Sequence, residues 1–303
     1  MTTTSETTPA PRRGTLIGAR VREAGWGYAF VLVPLAIFGA FFIYPFAYAV
    51  YISFFEWGIL GKVESVGMQN YRDLFDDPTF HKAVKNTVQY AVFVVPLEMA
   101  LGLLMALVIN HKIRGRAFFR SAFYFPSIAS SAAITAIAIF VLNANGLLNE
   151  IIGGNRSWFG DPSTALWAIT GLNAWTTAGT VMLFYLAALQ SIPTDVYEAA
   201  ALDGTSTWRA FWRITFPLLK PAHFFVLVVF GIGALKIFDQ AFIVSNGSGG
   251  PNYSTLTAVL YLYRTAIADI RFGYAAAIGV ALFVLIFAIT LLQRLIFGRP
   301  ETA

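Results

Sequence analysis

The sequence predicts an all-α membrane protein. Six transmembrane helices have both termini in the cytoplasm, and a bent two-helix loop lies between the fourth and fifth. Three observations predict it. First, 57% of the 303 residues are hydrophobic and only 12% charged, with mean hydropathy +0.65. That is about half the charge of an ordinary globular domain, so most of the surface must face lipid. Second, six runs supply the roughly 20 apolar residues that cross a bilayer. None alternates with period two, so helices that satisfy their own backbone follow, and barrel strands do not. Third, Lys and Arg gather on alternate loops. Cysteine is absent, which excludes disulfides, thiolate metal sites and cysteine nucleophiles.

The chain opens MTTTSETTPAPRR, Thr/Pro-rich and then basic, with no short apolar core ahead of a small-residue cleavage site. Residues 1–26 are therefore expected to be a disordered cytoplasmic tail. The membrane-spanning body follows over 27–297, with spans at about 27–55, 84–110, 117–142 (interrupted by Pro126), 164–189, 222–244 and 272–297, and 298–303 form a C-terminal tail. The dense basic clusters are Arg12, Arg13, Arg20 and Arg22; Lys112, Arg114, Arg116 and Arg120; Arg209, Arg213 and Lys220; and Arg294 and Arg299. The positive-inside rule places all four in the cytoplasm. The remaining basic residues are spread over longer outer loops, which also accounts for the net charge of +5 without nucleic acid. The stretch 255–270 has helical apolar spacing but is short and holds Arg264 and Asp269, so an interfacial outer helix is expected there.

The loop at 191–221 breaks the apolar pattern. Ser191 or Thr194 caps a first short helix, with Asp195 near its positive end. Asp203-Gly204 ends it, glycine being suited to a left-handed C-cap. Ser206 or Thr207 caps a second helix, which Pro217 stops, and Pro221 restarts the chain into the fifth span. Small Ala199, Ala200 and Ala201 permit close approach of another backbone. Trp208, Phe211, Trp212, Ile214 and Phe216 supply apolar anchorage, and Arg209 and Arg213 share one face. Two readings fit: a rigid knob for a soluble partner, or an interfacial amphipathic helix that turns the chain around.

The order of residues separates them. Glu198-Ala199-Ala200, three residues, Gly204, nine residues, Ile214, one residue, an apolar Phe216, then Pro217 resembles the cytoplasmic signature of binding-protein-dependent ABC importer permeases, with Phe216 in place of the usual Leu. Further stretches in the same order, IYPFAYAVYISF, GMQNYRDLF, NGLLNEIIG, LAALQSIPTDVYEAAALDG and FDQAFIVSNGSGGP, look most like the carbohydrate-type members. Those include permeases for maltose, other oligosaccharides and sn-glycerol 3-phosphate. The resemblance implies that the loop docks in a groove of an ATP-binding subunit, with coupling roles for Glu198, Gly204 and Asp203. It also implies a second homologous permease, a dimer of ATP-binding subunits holding ATP and Mg, and an extracytoplasmic substrate-binding protein. The setting would be the inner membrane of a prokaryote, with lipid as the other partner.

The chain itself has no G-x-x-x-x-G-K-[ST], so ATP is expected in another polypeptide and no cofactor in this one. His81, His111 and His223 lack metal-ligand spacing and are expected at membrane edges. No nucleophile elbow occurs. Polar residues inside spans point to a pathway or a pair. Lys236 and Asp239, at i and i+3, are read first as a pair; Lys236 is read second as a contact for a phosphorylated cargo. Gln240 lies beside them. Asn173, Trp175, Thr176 and Tyr185 in the fourth span, and Asn86 and Tyr90 in the second, are candidate sugar contacts. Helix packing and interface anchoring compete as explanations. Glu98 is expected to meet a polar partner in a neighbouring helix or companion permease. A glycerophosphate-type cargo, or less readily a gradient-driven secondary transporter, remains the alternative; the latter commonly shows internal repeats.

Overall fold

Helix α1 (Arg13–Phe38) begins inside the stretch expected to be a disordered tail. The computed structural model describes residues 13–111 and 114–297, so Arg12, Lys112, Arg299 and the tail 298–303 lie outside the described residues. The chain divides into two compact units at Tyr51/Ile52. In the first, α1 passes through a π turn (Gly39–Ile43) into α2 (Tyr44–Ile52). Trp26–Ile52 is long and apolar enough to cross a membrane, and none of its most apolar stretch is buried within the protein.

The second unit opens with a hairpin of β1 (Phe55–Gly58) and β2 (Gly61–Ser65), followed by α3 (Gln69–Asp76). The long α4 (Pro78–Asn110) starts six residues earlier than the apolar pattern indicated, because Asp77 accepts from Thr79 N at 2.8 Å and Pro78 occupies the first turn. Then come α5 (Arg116–Ile128), α6 (Ser131–Val141), α7 (Leu147–Ile152) and α8 (Ala165–Gln190). Next are α9 (Thr194–Leu202), α10 (Thr207–Ala210), α11 (Phe216–Leu218), α12 (Lys220–Leu235), α13 (Asp239–Ser245), α14 (Ala258–Tyr263) and α15 (Phe272–Phe297).

Among the described residues, five segments are long and apolar enough to span a bilayer, and α5 with α6 makes a sixth only if their 92° bend is counted within one span. Pro126 lacks the N–H that would continue the ladder, yet the chain turns at Ala129–Ser130, a few residues later. The core is built on α4 against α8. Tyr90, Val94, Glu98, Gly102 and Ala106 form one buried stripe four residues apart, the spacing that keeps side chains on one helix face. Gly102 lets α8 come so close that a Cβ there would lie 2.5 Å from Val181 Cγ1. Gly179 does the same for α5, with Phe123 O at 2.4 Å from a built Cβ. Small residues at such crossings let backbones approach in lipid, where apolar burial drives association weakly.

The 255–270 stretch is helical over Ala258–Ala268. Leu256 and Leu260 are fully buried, packed with Ala83 and Ala241. Asp77 binds the neighbouring elements together: Tyr261 donates to its carboxylate, Tyr274 does so at 2.9 Å, and Thr79 N supplies a third bond. Burial works to raise the Asp77 pKa, but these hydrogen bonds outweigh it and hold the group below its ordinary value.

Candidate functional site

Two regions collect the polar side chains that a transport protein needs. The first is at the break between α12 and α13. Gly231 and Gly233 weaken the helix here, and the Thr257 hydroxyl donates to Ile237 O at 3.0 Å, satisfying that carbonyl outside the helical ladder. Lys236 therefore caps one helix while Asp239 begins another. The expected i, i+3 pair is not made, and no ion pair joins them among the described residues. Both instead line a cavity of about 280 Å³ with Tyr90, Glu98, Asn173 and Gln240.

A second cavity of about 190 Å³ lies beside it, lined by Ser127, Ser131, Thr135, Thr176 and Thr180. Asn173, Thr177 and Gln240 line both. Gln240 donates to Ser131 Oγ at 2.9 Å and to Asn173 Oδ1 at 3.3 Å, Asn173 donates to the Tyr90 hydroxyl, and Thr176 donates to Asn173 O at 3.1 Å. Helices α4, α5, α6, α8 and α13, with Lys236 at the end of α12, thus present hydroxyls, amides and charged groups to adjoining cavities. Such a lining suits a polar solute.

Other candidates are placed elsewhere. Asn86 is buried and spends its amide on Tyr253 O (2.7 Å) and Leu256 O (2.9 Å), fixing the loop after α13 rather than facing a cavity. Tyr185 is 0% exposed in the core and bonds His223 Nδ1 at 2.8 Å. Trp175 is exposed on α8 and lines neither cavity. Glu98, only 4% exposed, meets a polar partner in a neighbouring helix as expected, Thr177 of α8, and it also opens onto the Lys236–Asp239 cavity, which the sequence did not indicate. Its position on the Tyr90–Val94–Gly102 stripe marks its helix face, but nothing in one helix reveals what the next brings opposite.

The second region is 191–221. Helix α9 has Pro193 at its N-cap without a side-chain bond, so neither Ser191 nor Thr194 caps it; Thr194 reaches only Asp195, at 3.5 Å. Its end is as expected. Gly204 adopts φ +70°, Gly204 N reaches Ala201 O at 3.0 Å and Thr205 N reaches Ala200 O at 3.0 Å, the paired bonds that close a helix on a left-handed residue. Ser206 caps α10 by accepting from Arg209 N at 3.4 Å. Pro217 does not stop this helix. Its missing N–H leaves the Arg213 carbonyl without the usual donor, and the chain takes a π turn over Phe211–Thr215 before continuing through α11 into α12. Glu198, Ala199, Asp203, Gly204, Arg209, Arg213 and Pro217 are exposed, Ile214 is half-buried, and Ala200 packs inward. Tyr197 OH meets Thr215 Oγ1 at 3.1 Å, holding the two helices as one bent piece.

A helical membrane body, a polar cavity where helices break, and a rigid exposed loop together define a membrane permease. Residues 98–301 match the family described as binding-protein-dependent transport system inner membrane component. The chain belongs to that family. It is 33% identical over 279 residues to the multiple sugar-binding transport system permease protein MsmF of Streptococcus mutans, covering 90% of this chain and 96% of that one. It is 31% identical over 299 residues to the arabinooligosaccharides transport system permease protein AraP of Bacillus subtilis, covering 93% and 95%. In fold it superposes on a chain of a bacterial ABC transporter that imports the acidic polysaccharide alginate, with TM-score 0.81 at 23% identity, over 94% of this chain and 99% of that one.

Proposed function

We propose that this chain is one of two membrane-spanning halves of an ATP-driven carbohydrate importer. The observation that carries the reading is the exposed Glu198–Gly204 turn on a braced two-helix loop, in a chain whose relatives are named for sugar transport. Six spans with both termini cytoplasmic put this loop on the cytoplasmic side, by the positive-inside rule. There Glu198, Gly204 and, with them, Asp203 and Arg209 meet a groove of a separate ATP-binding subunit, two copies of which hold ATP and Mg. A second homologous permease completes the pathway, and an extracytoplasmic binding protein delivers cargo to the outer face, including 245–252. Closure of the ATP-binding pair moves the docked loop. It shifts the spans between inward- and outward-facing states because the docked contacts differ between the two.

Cargo passes the paired cavities, where Tyr90, Asn173, Thr176 and Gln240 offer hydroxyl and amide partners to sugar hydroxyls. Glu98 and Asp239 beside Lys236 supply two acids to one base, which favours a neutral sugar over the glycerophosphate-type alternative. The test is co-purification of the tagged chain from its native membrane in mild detergent. A P-loop ATPase and a second permease of this family are the expected companions; a monodisperse lone chain overturns the reading.

A further inference from the structure

A histidine of α12 joins the last segment of the bent loop to α8. His223 stands in the first turn of α12, immediately beyond the bend at Leu219. Its ring packs on Phe216 of α11 at 4.5 Å between centroids with the planes tilted by 41°, and Phe216 in turn packs against Trp212 at 5.2 Å. On its other side His223 Nδ1 bonds the Tyr185 hydroxyl at 2.8 Å, with the two rings edge to face at 5.3 Å. Tyr185 is fully buried on α8, the helix that also carries Asn173, Thr176 and Thr177 into the cavities. The ring lies beside the Phe216 carbonyl, yet its buried Nε2 completes no hydrogen bond among the described residues.

A buried polar atom left without a partner is costly and asks for a reason. Here the reason is geometric. The segment carrying Phe216 is a π turn followed by α11 and the bend at Leu219, the least regular backbone along this rod. A small rotation of the loop there changes the distance from Phe216 to the imidazole, while Nδ1 keeps α8 in hand.

We infer that His223 is a positioning residue that latches the Phe211–Leu218 segment to α8 through Tyr185, so that displacement of the loop is delivered to the cavity-lining helix. The inference rests on the coupling role proposed above for the Glu198–Gly204 loop. In one state His223 holds Tyr185 alone; in the other its Nε2 also engages the Phe216 carbonyl.

The chain has no cysteine, so Thr180→Cys places a single reporter in the cavity lining. The co-purified complex, reconstituted in proteoliposomes with the loop face outward, is labelled with a membrane-impermeant maleimide, with and without ATP plus vanadate. In the otherwise unchanged chain, nucleotide lowers the labelling rate by about fivefold or more, the lower range of allosteric coupling. Tyr185→Phe and His223→Phe each reduce that ratio to near one while ATP hydrolysis continues, and the double variant does no more than either alone. Tyr185→Phe removes a single oxygen, so it reads the bond even where His223→Phe fails to accumulate. A parental labelling ratio in Tyr185→Phe, or losses that multiply in the double variant, overturns the latch while leaving the coupling loop standing. A reporter that ignores nucleotide in the parent overturns the coupling reading and the latch with it.

Discussion

Gly204 offers the sharpest separation between what a residue does for its own chain and what it does for a partner. It sits at φ +70°, and a Cβ built there has no atom within 4 Å. Alanine therefore fits without a clash, and its whole intrachain cost is the left-handed backbone, about 1–2 kcal/mol. That corresponds to a shift of roughly five- to thirtyfold in the local equilibrium of the α9 end. Asparagine tolerates this conformation better, so Gly204→Asn costs less than Gly204→Ala. Both variants are expected to insert and accumulate normally. In the purified complex, both are expected to lose more than thirtyfold in cargo-stimulated ATP hydrolysis, because in the proposed docking a partner's backbone fills the space that is open in this chain alone. Full rescue by asparagine would show that the backbone angle is the entire requirement. Normal stimulation in Gly204→Ala at normal abundance would refute the docking argument outright.

Three further outcomes follow from the helix packing and from the hydrogen bonds that hold the loops. Gly102→Val drives a side chain into Val181 and toward Met182 N; overpacking of about 1–3 kcal/mol lowers the detergent melting temperature measured by tryptophan fluorescence, with no change expected if the α4–α8 contact is misplaced. Asp77→Ala removes the acceptor shared by Tyr261, Tyr274 and Thr79 N, a loss of about 1–2 kcal/mol typical of N-caps, read in the same melts. Because the folded Asp77 pKa lies below the ordinary 3.8, its stabilising share is present above that value and lost as pH falls through the folded one. Wild type should therefore lose stability on acidification below about pH 4 by a component absent from Asp77→Ala. Finally, Asn149→Ala removes an amide that holds Asn143 O at 2.8 Å, Ala144 O at 2.9 Å and Arg156 O at 2.8 Å. Gly146 N still serves Asn143 O, but leaving the Ala144 and Arg156 carbonyls without this donor costs about 1–3 kcal/mol, and proteolysis of the 143–156 loop should quicken.

The spans were legible because length and apolarity are properties of a single segment: Phe272–Phe297 is recovered to the residue, and Ala165–Gln190 within one. The loop was legible because its signature is a fixed order along the chain. What escaped was everything decided between segments. Lys236 and Asp239 looked paired only on the assumption of one continuous helix, and Thr257, from a later loop, provides for the carbonyl where that helix breaks. Asn86 and Glu98 are both buried polar residues of α4, and sequence gives no means of knowing that one meets backbone carbonyls and the other a cavity. The bond from His223 to Tyr185 escaped because the two lie 38 positions apart. The turn after Pro126 was visible as an interruption, but its 92° angle was not.

The glycine crossings at Gly102 and Gly179 carry a mechanical consequence. A side chain trapped against a backbone cannot slide along it without first separating, so α4, α8 and the C-terminal half of α5 have few degrees of freedom relative to one another. Helical order is interrupted instead at joints: Ala129–Ser130, the π turn at Phe211–Thr215, and Lys236–Phe238. A linkage of stiff members and few hinges converts a push at one end into a defined path at the other, whatever the source of the push. Variation in the cavity lining can then alter what is carried while leaving the motion that carries it unchanged.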